Sequence, residues 1–229
     1  MNSLFATEDT EFTEKSRGAT KVFRFSFTLL VLVCLMGTAH ASSTFSKSES
    51  TALLDYTKAC LLAQIDGKPQ PVPPEFATKI QRPCFVTFYA NKRVFACFGG
   101  FTPRKANLGD EIAENIRLAL INDSRSRNIS RAQVIAAGVQ ITFPIGQPVR
   151  VTSYSVIDPA SEGMFIESTS AGVAFVPGEA KTASWAFREG MRRLAEKDPL
   201  HVNVYRFKAE YIKTPSTQGV RVIDPKELP

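Results

Sequence analysis

Cys84-Phe-Val-Thr-Phe-Tyr89, then Asn91-Lys92, then Arg93-Val-Phe-Ala-Cys-Phe98, closed by Gly99-Gly100, is the stretch that decides the fold. Two runs rich in β-branched and aromatic residues flank a short polar turn, which predicts an antiparallel hairpin ended by the glycine pair. Downstream, Leu108, Ile112, Ile116, Ala119 and Leu120 recur on one face and predict a helix over 108–121. Asn107 suits its N-cap, and Asp110 and Glu111 fall in the first turn, where the helix dipole favours acid. Upstream, Leu53, Leu54, Thr57, Cys60, Leu61 and Ile65 keep helical spacing. Gly67 is the natural cap, and Pro69, Pro71, Pro73 and Pro74 make a stiff extended link to the hairpin.

Further along, 130–137 is expected as a short helix and 138–143 as an alternating strand. A separate strand is expected over 149–156. Gly163 to Ile166 and Val173 to Val176 predict a second hairpin turning through Thr169 to Gly172. A helix is expected over 180–195, with Ala183, Phe187, Met191 and Leu194 inward, and a final long strand over 203–212. Hairpins interleaved with helices predict an α+β class with a mixed, largely antiparallel sheet.

With these elements in order, the chain resembles the AMMECR domain family, which in bacteria and archaea is protein A of the AmmeMemoRadiSam trio. Pro83-Cys-Phe-Val-Thr-Phe88 is similar to the family's G-x-F-V-T-L. Val94 to Gly99 is similar to L-R-G-C-I-G in its Leu, Cys, Ile and Gly positions. Asp123-Ser-Arg125 stands where the family has D-P-R, Gly172 to Pro177 resembles G-L-F-L-P, and Asn203 to Glu210 resembles V-x-Y-R-F-x-A-E. Phe95 replaces the family's Arg and Ala96 its Gly. Ser168 to Ala171 replace an Arg-Arg, and Gly178 replaces a Gln. The resemblance implies a two-lobed fold with helices packed on the sheet and a cleft between a larger and a smaller part. Its family has no established activity, and its link to a radical-SAM partner rests on gene company. The expected organisation is a signal peptide at 1–41, a flexible linker at 42–49, an AMMECR-like domain at 50–213 and a loose tail at 214–229.

Cys97 is the candidate catalytic residue. It precedes Gly99-Gly100, a loop and a helix start, where free N–H groups and a helix dipole lower a thiol pKa. The competing readings are a buried strand cysteine and a disulfide. If Asn91-Lys92 is a two-residue turn, Val86 faces Cys97, and Cys84 lies diagonally on the same face, near the outer limit for bridging. A shift of one residue puts Cys84 and Cys97 on opposite faces. Cys60 belongs to the apolar stripe of its helix. Phe95, Gly99, Gly100 and Arg125 are the candidate residues of the binding cleft. Arg125, Arg127 and Arg131, and separately Arg188, Arg192 and Arg193, read as solvated basic faces that could also hold an anion. Trp185 reads as a packing residue. Glu167, Asp110 and Glu179 read as exposed carboxylates without partners.

Composition bounds the function. The formal net charge is +6, mildly basic and far from a nucleic-acid-binding extreme. Of four cysteines, Cys34 lies in the leader, and the three left have no zinc-site spacing. After the leader, His201 stands alone, so neither a metal, a cofactor nor a His-dependent triad is expected. The expected partner is a protein or small-molecule ligand of unknown identity, with no nucleic acid and no membrane role beyond export.

The leader itself has a definite pattern. Arg17, Lys21 and Arg24 precede an apolar run from Phe25 to Gly37, and Thr38-Ala-His-Ala41 follows. The run is short of the roughly 20 residues a membrane span needs, and Ala39 and Ala41 occupy the positions a signal peptidase reads. The alternative is an uncleaved anchor. The expected reading is an exported binding or accessory module, with a thiol enzyme using Cys97 as the alternative. Protein recovered from its native host is expected to have an intact mass that begins at Ser42; a full-length mass would instead mark an anchor.

Overall fold

The computed structural model describes residues 44–90 and 93–214. The leader to Ala41, the turn residues Asn91 and Lys92, and the tail beyond Thr214 lie outside the described residues.

Helix α1 spans Lys47–Ile65 and begins inside the stretch that sequence assigned to a flexible linker. The reason is a capping box: Ser46 Oγ accepts from Glu49 N at 3.2 Å, and Ser46 N donates to Glu49 Oε2 at 2.9 Å. Its far end closes at Gly67 with φ +62°, as the sequence predicts. A short helix α2, Glu75–Thr78, follows the proline link. The hairpin is β1, Phe85–Ala90, and β2, Arg93–Gly99. Helix α3 is Leu108–Asn122, capped by Asn107. Helix α4 is Arg131–Ala136, capped by Ser130.

The two strands expected over 138–143 and 149–156 are one, β3, Gly138–Val151. Its ladder slips between Ile145 and Val149, and Gly146 at φ +70° takes the bend. Residues Tyr154–Val156 form a 3-10 turn instead of strand. Strands β4, Gly163–Glu167, and β5, Gly172–Phe175, form the second hairpin. Helix α5, Ala183–Arg193, starts at the Thr182 cap, and Ala195 at φ +53° ends it. Strand β6 is Asn203–Lys213.

All six strands belong to one sheet, in the order β2-β1-β3-β6-β4-β5, and every pairing is antiparallel. The expected α+β class holds, with no parallel pair among the described strands. Alternation along the strands sorts side chains onto two faces. Val86, Phe88, Ala96, Ile141 and Phe143 join Leu53, Leu61, Ile112 and Ile116 of α1 and α3 in a first core. Met164, Ile166 and Phe175 join Ala186 of α5 in a second. Phe85, Val176 and Phe207, with Phe101 and Phe165 against them, form a third. Phe101 is the hub, with ring centroids 5.2 Å from Phe85, 5.2 Å from Phe165 and 4.9 Å from Phe207.

Glycines make room for cross-strand aromatics: a side chain at Gly138, Gly163 or Gly172 would strike the rings of Tyr89, Phe207 or Phe165. Gly99 is tighter still, because a Cβ there would meet the Cys84 carbonyl and the Phe85 Cα, while Gly100 has open space. Gly99→Ala is therefore expected to lower stability by about 1–3 kcal/mol in urea unfolding. Gly100→Ala is expected to change it by less than about 0.5 kcal/mol.

Candidate functional site

The register of β1 against β2 decides what Cys97 faces. From the turn, Ala90 pairs Arg93 and Tyr89 pairs Val94, but Phe88 pairs Ala96, so Phe95 is an extra residue. Cys97 consequently lies opposite Thr87, not Val86, and its sulfur sits 3.2 Å from Thr87 Oγ1. Cys84 is three residues from Thr87 and points to the other face, into the first core. Its carbonyl accepts from Asn115 Nδ2 at 3.0 Å. Both cysteines are free, and the candidate Cys84–Cys97 disulfide is ruled out by this register. The bulge also turns Phe95 away from the cleft. It packs on the first core and stacks with Phe88 at 6.1 Å.

A cleft of about 740 Å³ opens beside Cys97. Cys97, Gly99, Gly100 and Arg125 line it, as three of the four expected cleft residues and the expected nucleophile; Phe95 is absent. The walls are Phe98 to Phe101 on one side and Ala171 to Ala174 on the other, with Phe85 and Phe165 between. Asn122 to Arg125 and Arg192 to Leu194 complete them. Strands β2 and β5 are the two ends of the sheet order, so the cleft occupies the open seam of a curled sheet.

Asp123 organises this seam. Its carboxylate accepts from Cys97 N at 3.0 Å, from Arg125 N at 3.0 Å and from Arg125 Nη2 at 2.7 Å. Arg125 reaches on to Glu179 at 3.5 Å, and Glu179 accepts from Val176 N at 3.3 Å. Glu179 is therefore not an exposed acid: its side chain keeps 5% of its accessible surface. Arg125 is not a free anion hook either, since two carboxylates already hold it. Glu167 likewise has a partner, accepting from Tyr205 OH at 2.9 Å, and Asp110 accepts from Asn107 Nδ2 at 2.8 Å. The second basic stretch is partly spent as well. Arg192 and Arg193 both pair with Glu189, at 2.7 and 2.9 Å, and the Arg193 guanidinium lies 4.9 Å from the Phe175 ring centroid. Trp185 packs edge-on against Phe175 at 5.8 Å.

The electrostatics run against a reactive thiol. Burial first, then the Glu179 carboxylate, pushes the Cys97 thiol up to about 12, outweighing the Thr87 hydrogen bond and the Arg125 charge. The helix end at the cleft is also the opposite of the one expected. Asn122 and Asp123 close the C-terminal end of α3, whose dipole opposes a thiolate. Burial also raises Glu179, against the pull of Arg125 and Arg193. Burial opposes the charge on Arg125, yet its bonds to Asp123 and its attraction to Asp123 and Glu179 hold it firmly protonated. Asp123 is thus the principal counterion of Arg125, which leaves Glu179 less fully compensated. Because Glu179 is raised, the folded protein binds its proton more tightly than the unfolded chain. That contribution to stability is present at acidic pH and is lost as pH rises above the ordinary carboxylate range. Glu189 has the opposite sign. The Arg192 hydrogen bond lowers it to about 2, so its contribution is present above the ordinary value and is lost as pH falls toward 2.

Sequence reasoning missed Asp123 and Glu179 as a pair. The local signal was a carboxylate two residues before an arginine, but Glu179 lies 54 positions from Arg125. It missed Phe101 and Phe165 as walls because an isolated Phe carries no local mark of where it packs. Among the described residues, no group of three or more His, Cys, Asp or Glu is placed to hold a metal ion.

A family model described as AMMECR1 matches residues 49–212. Among solved structures, the uncharacterized protein PH0010 from Pyrococcus horikoshii is similar in fold. It has a TM-score of 0.56 and 15% identity over 69% of this chain and 88% of that one. No curated protein matches.

At pH 8, iodoacetamide is expected to alkylate Cys97 in the folded protein on the order of a thousandfold more slowly than a free cysteine, for want of thiolate. Peptide mapping after timed alkylation reads this directly; labelling at the rate of a free thiol would contradict the electrostatics above.

Proposed function

The chain belongs to the AMMECR1 family, and from that premise we propose that it works as a binding module. It takes a ligand into the cleft between β2 and β5 and does not transform it with the Cys97 thiol. The observation that carries this reading is a formed cleft of about 740 Å³ lined by Cys97, whose sulfur lies 3.2 Å from the Thr87 hydroxyl rather than beside a base. Small-molecule sites commonly enclose roughly 300–1,000 Å³ and combine apolar walls with a few polar groups. Here Phe101 and Phe165 offer the apolar wall, and Asn122, Ser124 and Arg192 offer polar groups at the rim. A nucleophilic thiol needs a base or a depressed pKa. Cys97 has Thr87 at its sulfur, and its surroundings oppose the thiolate. The module acts outside the cytoplasm in this reading, supported by the basic, apolar and small-residue pattern from Arg17 to Ala41.

Titrating isotope-labelled protein with small aromatic acids, aromatic amides and short peptides tests the proposal by NMR. Shifts are expected to concentrate on Gly99 to Phe101, Asn122 to Arg125 and Ala171 to Ala174. Phe165→Ala is expected to weaken binding about tenfold, on the order of 1.4 kcal/mol. Shifts confined to another surface, or turnover of any probe that Cys97→Ser abolishes, would overturn it.

A further inference from the structure

The cleft lies where the curled sheet is left open, so the outer edges of β2 and β5 both border it. Along an edge strand of an antiparallel sheet, alternate residues turn their N–H and C=O groups outward. On β5 the second hairpin fixes which ones. Ser168 N–H donates to Ala171 O at 2.8 Å, which makes this a hydrogen-bonded pair. Counting back along the ladder, Glu167–Gly172 and Phe165–Ala174 are the non-hydrogen-bonded pairs. The backbone groups of Gly172 and Ala174 therefore face away from β4, toward the cleft that both residues line.

The two edges differ in how they are covered. On β2, the outward N–H of Cys97 is taken by Asp123 Oδ2. The β5 run Gly172-Val-Ala-Phe175 has no charge and no proline, the usual devices that keep an edge from pairing. Its outward residues, Gly172 and Ala174, are small, so another backbone can approach closely. The aromatic wall and the largely neutralised arginines leave backbone hydrogen bonding as the chief polar resource of the site.

We propose that β5 is a receptor edge, to which an extended peptide segment of a partner protein adds as a further strand inside the cleft, hydrogen-bonded to Gly172 and Ala174. This inference rests on the cleft-binding reading and names the class of ligand. Main-chain pairing supplies the affinity, and side chains on every second residue supply the selectivity. One face of the peptide meets Phe101 and Phe165 and takes apolar residues. An acidic residue suits the rim, where the Arg192 side chain is 71% exposed.

Random linear nonapeptides displayed on phage and selected against the full chain test this, followed by amide exchange on the complexes. Selected peptides are expected to slow exchange at Gly172 and Ala174 at least tenfold. N-methylation of alternate peptide nitrogens, which leaves every side chain in place, is expected to weaken binding at least tenfold. Ala174→Pro, which removes an outward donor and spares the β4 ladder, is expected to do the same. Strand addition falls if cleft binders shift Phe101 and Phe165 yet leave those two amides exchanging freely and tolerate N-methylation; the binding-module reading then stands. It also falls if the library yields no cleft-binding peptide. If neither peptides nor small molecules perturb the cleft, both readings fall together.

Discussion

The ladder between β3 and β6 is the constraint on which the rest depends. It runs from Gln140 opposite Lys213 to Val151 opposite Val204 and interrupts only between Ile145 and Val149. On one end β3 carries β1 and hence the hairpin, α1 and α3. On the other β6 carries β4 and hence β5 and α5. Two hydrophobic cores that share no helix are thus fixed to one strand pair. The slip at Gly146 bends that pair locally, and the outer strands β2 and β5 both line one cleft.

One extra residue in β2 then sets the chemistry. Because Phe95 bulges, everything toward Gly99 moves one position against β1, and a one-residue slip exchanges faces. Cys97 goes to the seam, on the face opposite the one from which Cys84 enters the first core. The same bulge leaves the Cys97 N–H pointing off the ladder, where Asp123 meets it. A carboxylate at the C-terminal end of α3 is thereby tied to the sheet edge, and through Arg125 to Glu179 on the connection after β5. Asp123 and Arg125 of this chain of alternating charge line the cleft. The same chain engages the group that sequence offered as a hook, since Arg125 pairs with both Asp123 and Glu179.

Much of this was legible locally. The Cys84–Phe98 hairpin, the Asn107-capped helix, the Gly67 stop and the long final strand all follow from period, caps and turn residues, which act within a few positions. The capping box at Ser46 was equally local, and its Ser-x-x-Glu pattern stood in the sequence, masked by the Ser-rich run around it. The joining of two expected strands into β3 was not legible. Gly146 and Pro148 look like a break, and only the pairing with β6 on both sides of them keeps the strand whole.

The sequence by itself determined the α+β class, the order of the elements and the family they belong to. These depend on side-chain size, polarity and spacing over short stretches. Tertiary structure alone decided the face on which each cysteine lies, the burial of Glu179 and its ion pair with Arg125. It alone decided that the outer edges of β2 and β5 border one cleft. Each of these turns on a register or a meeting of residues distant in the chain, and a slip of one residue, invisible in composition or period, reverses the outcome.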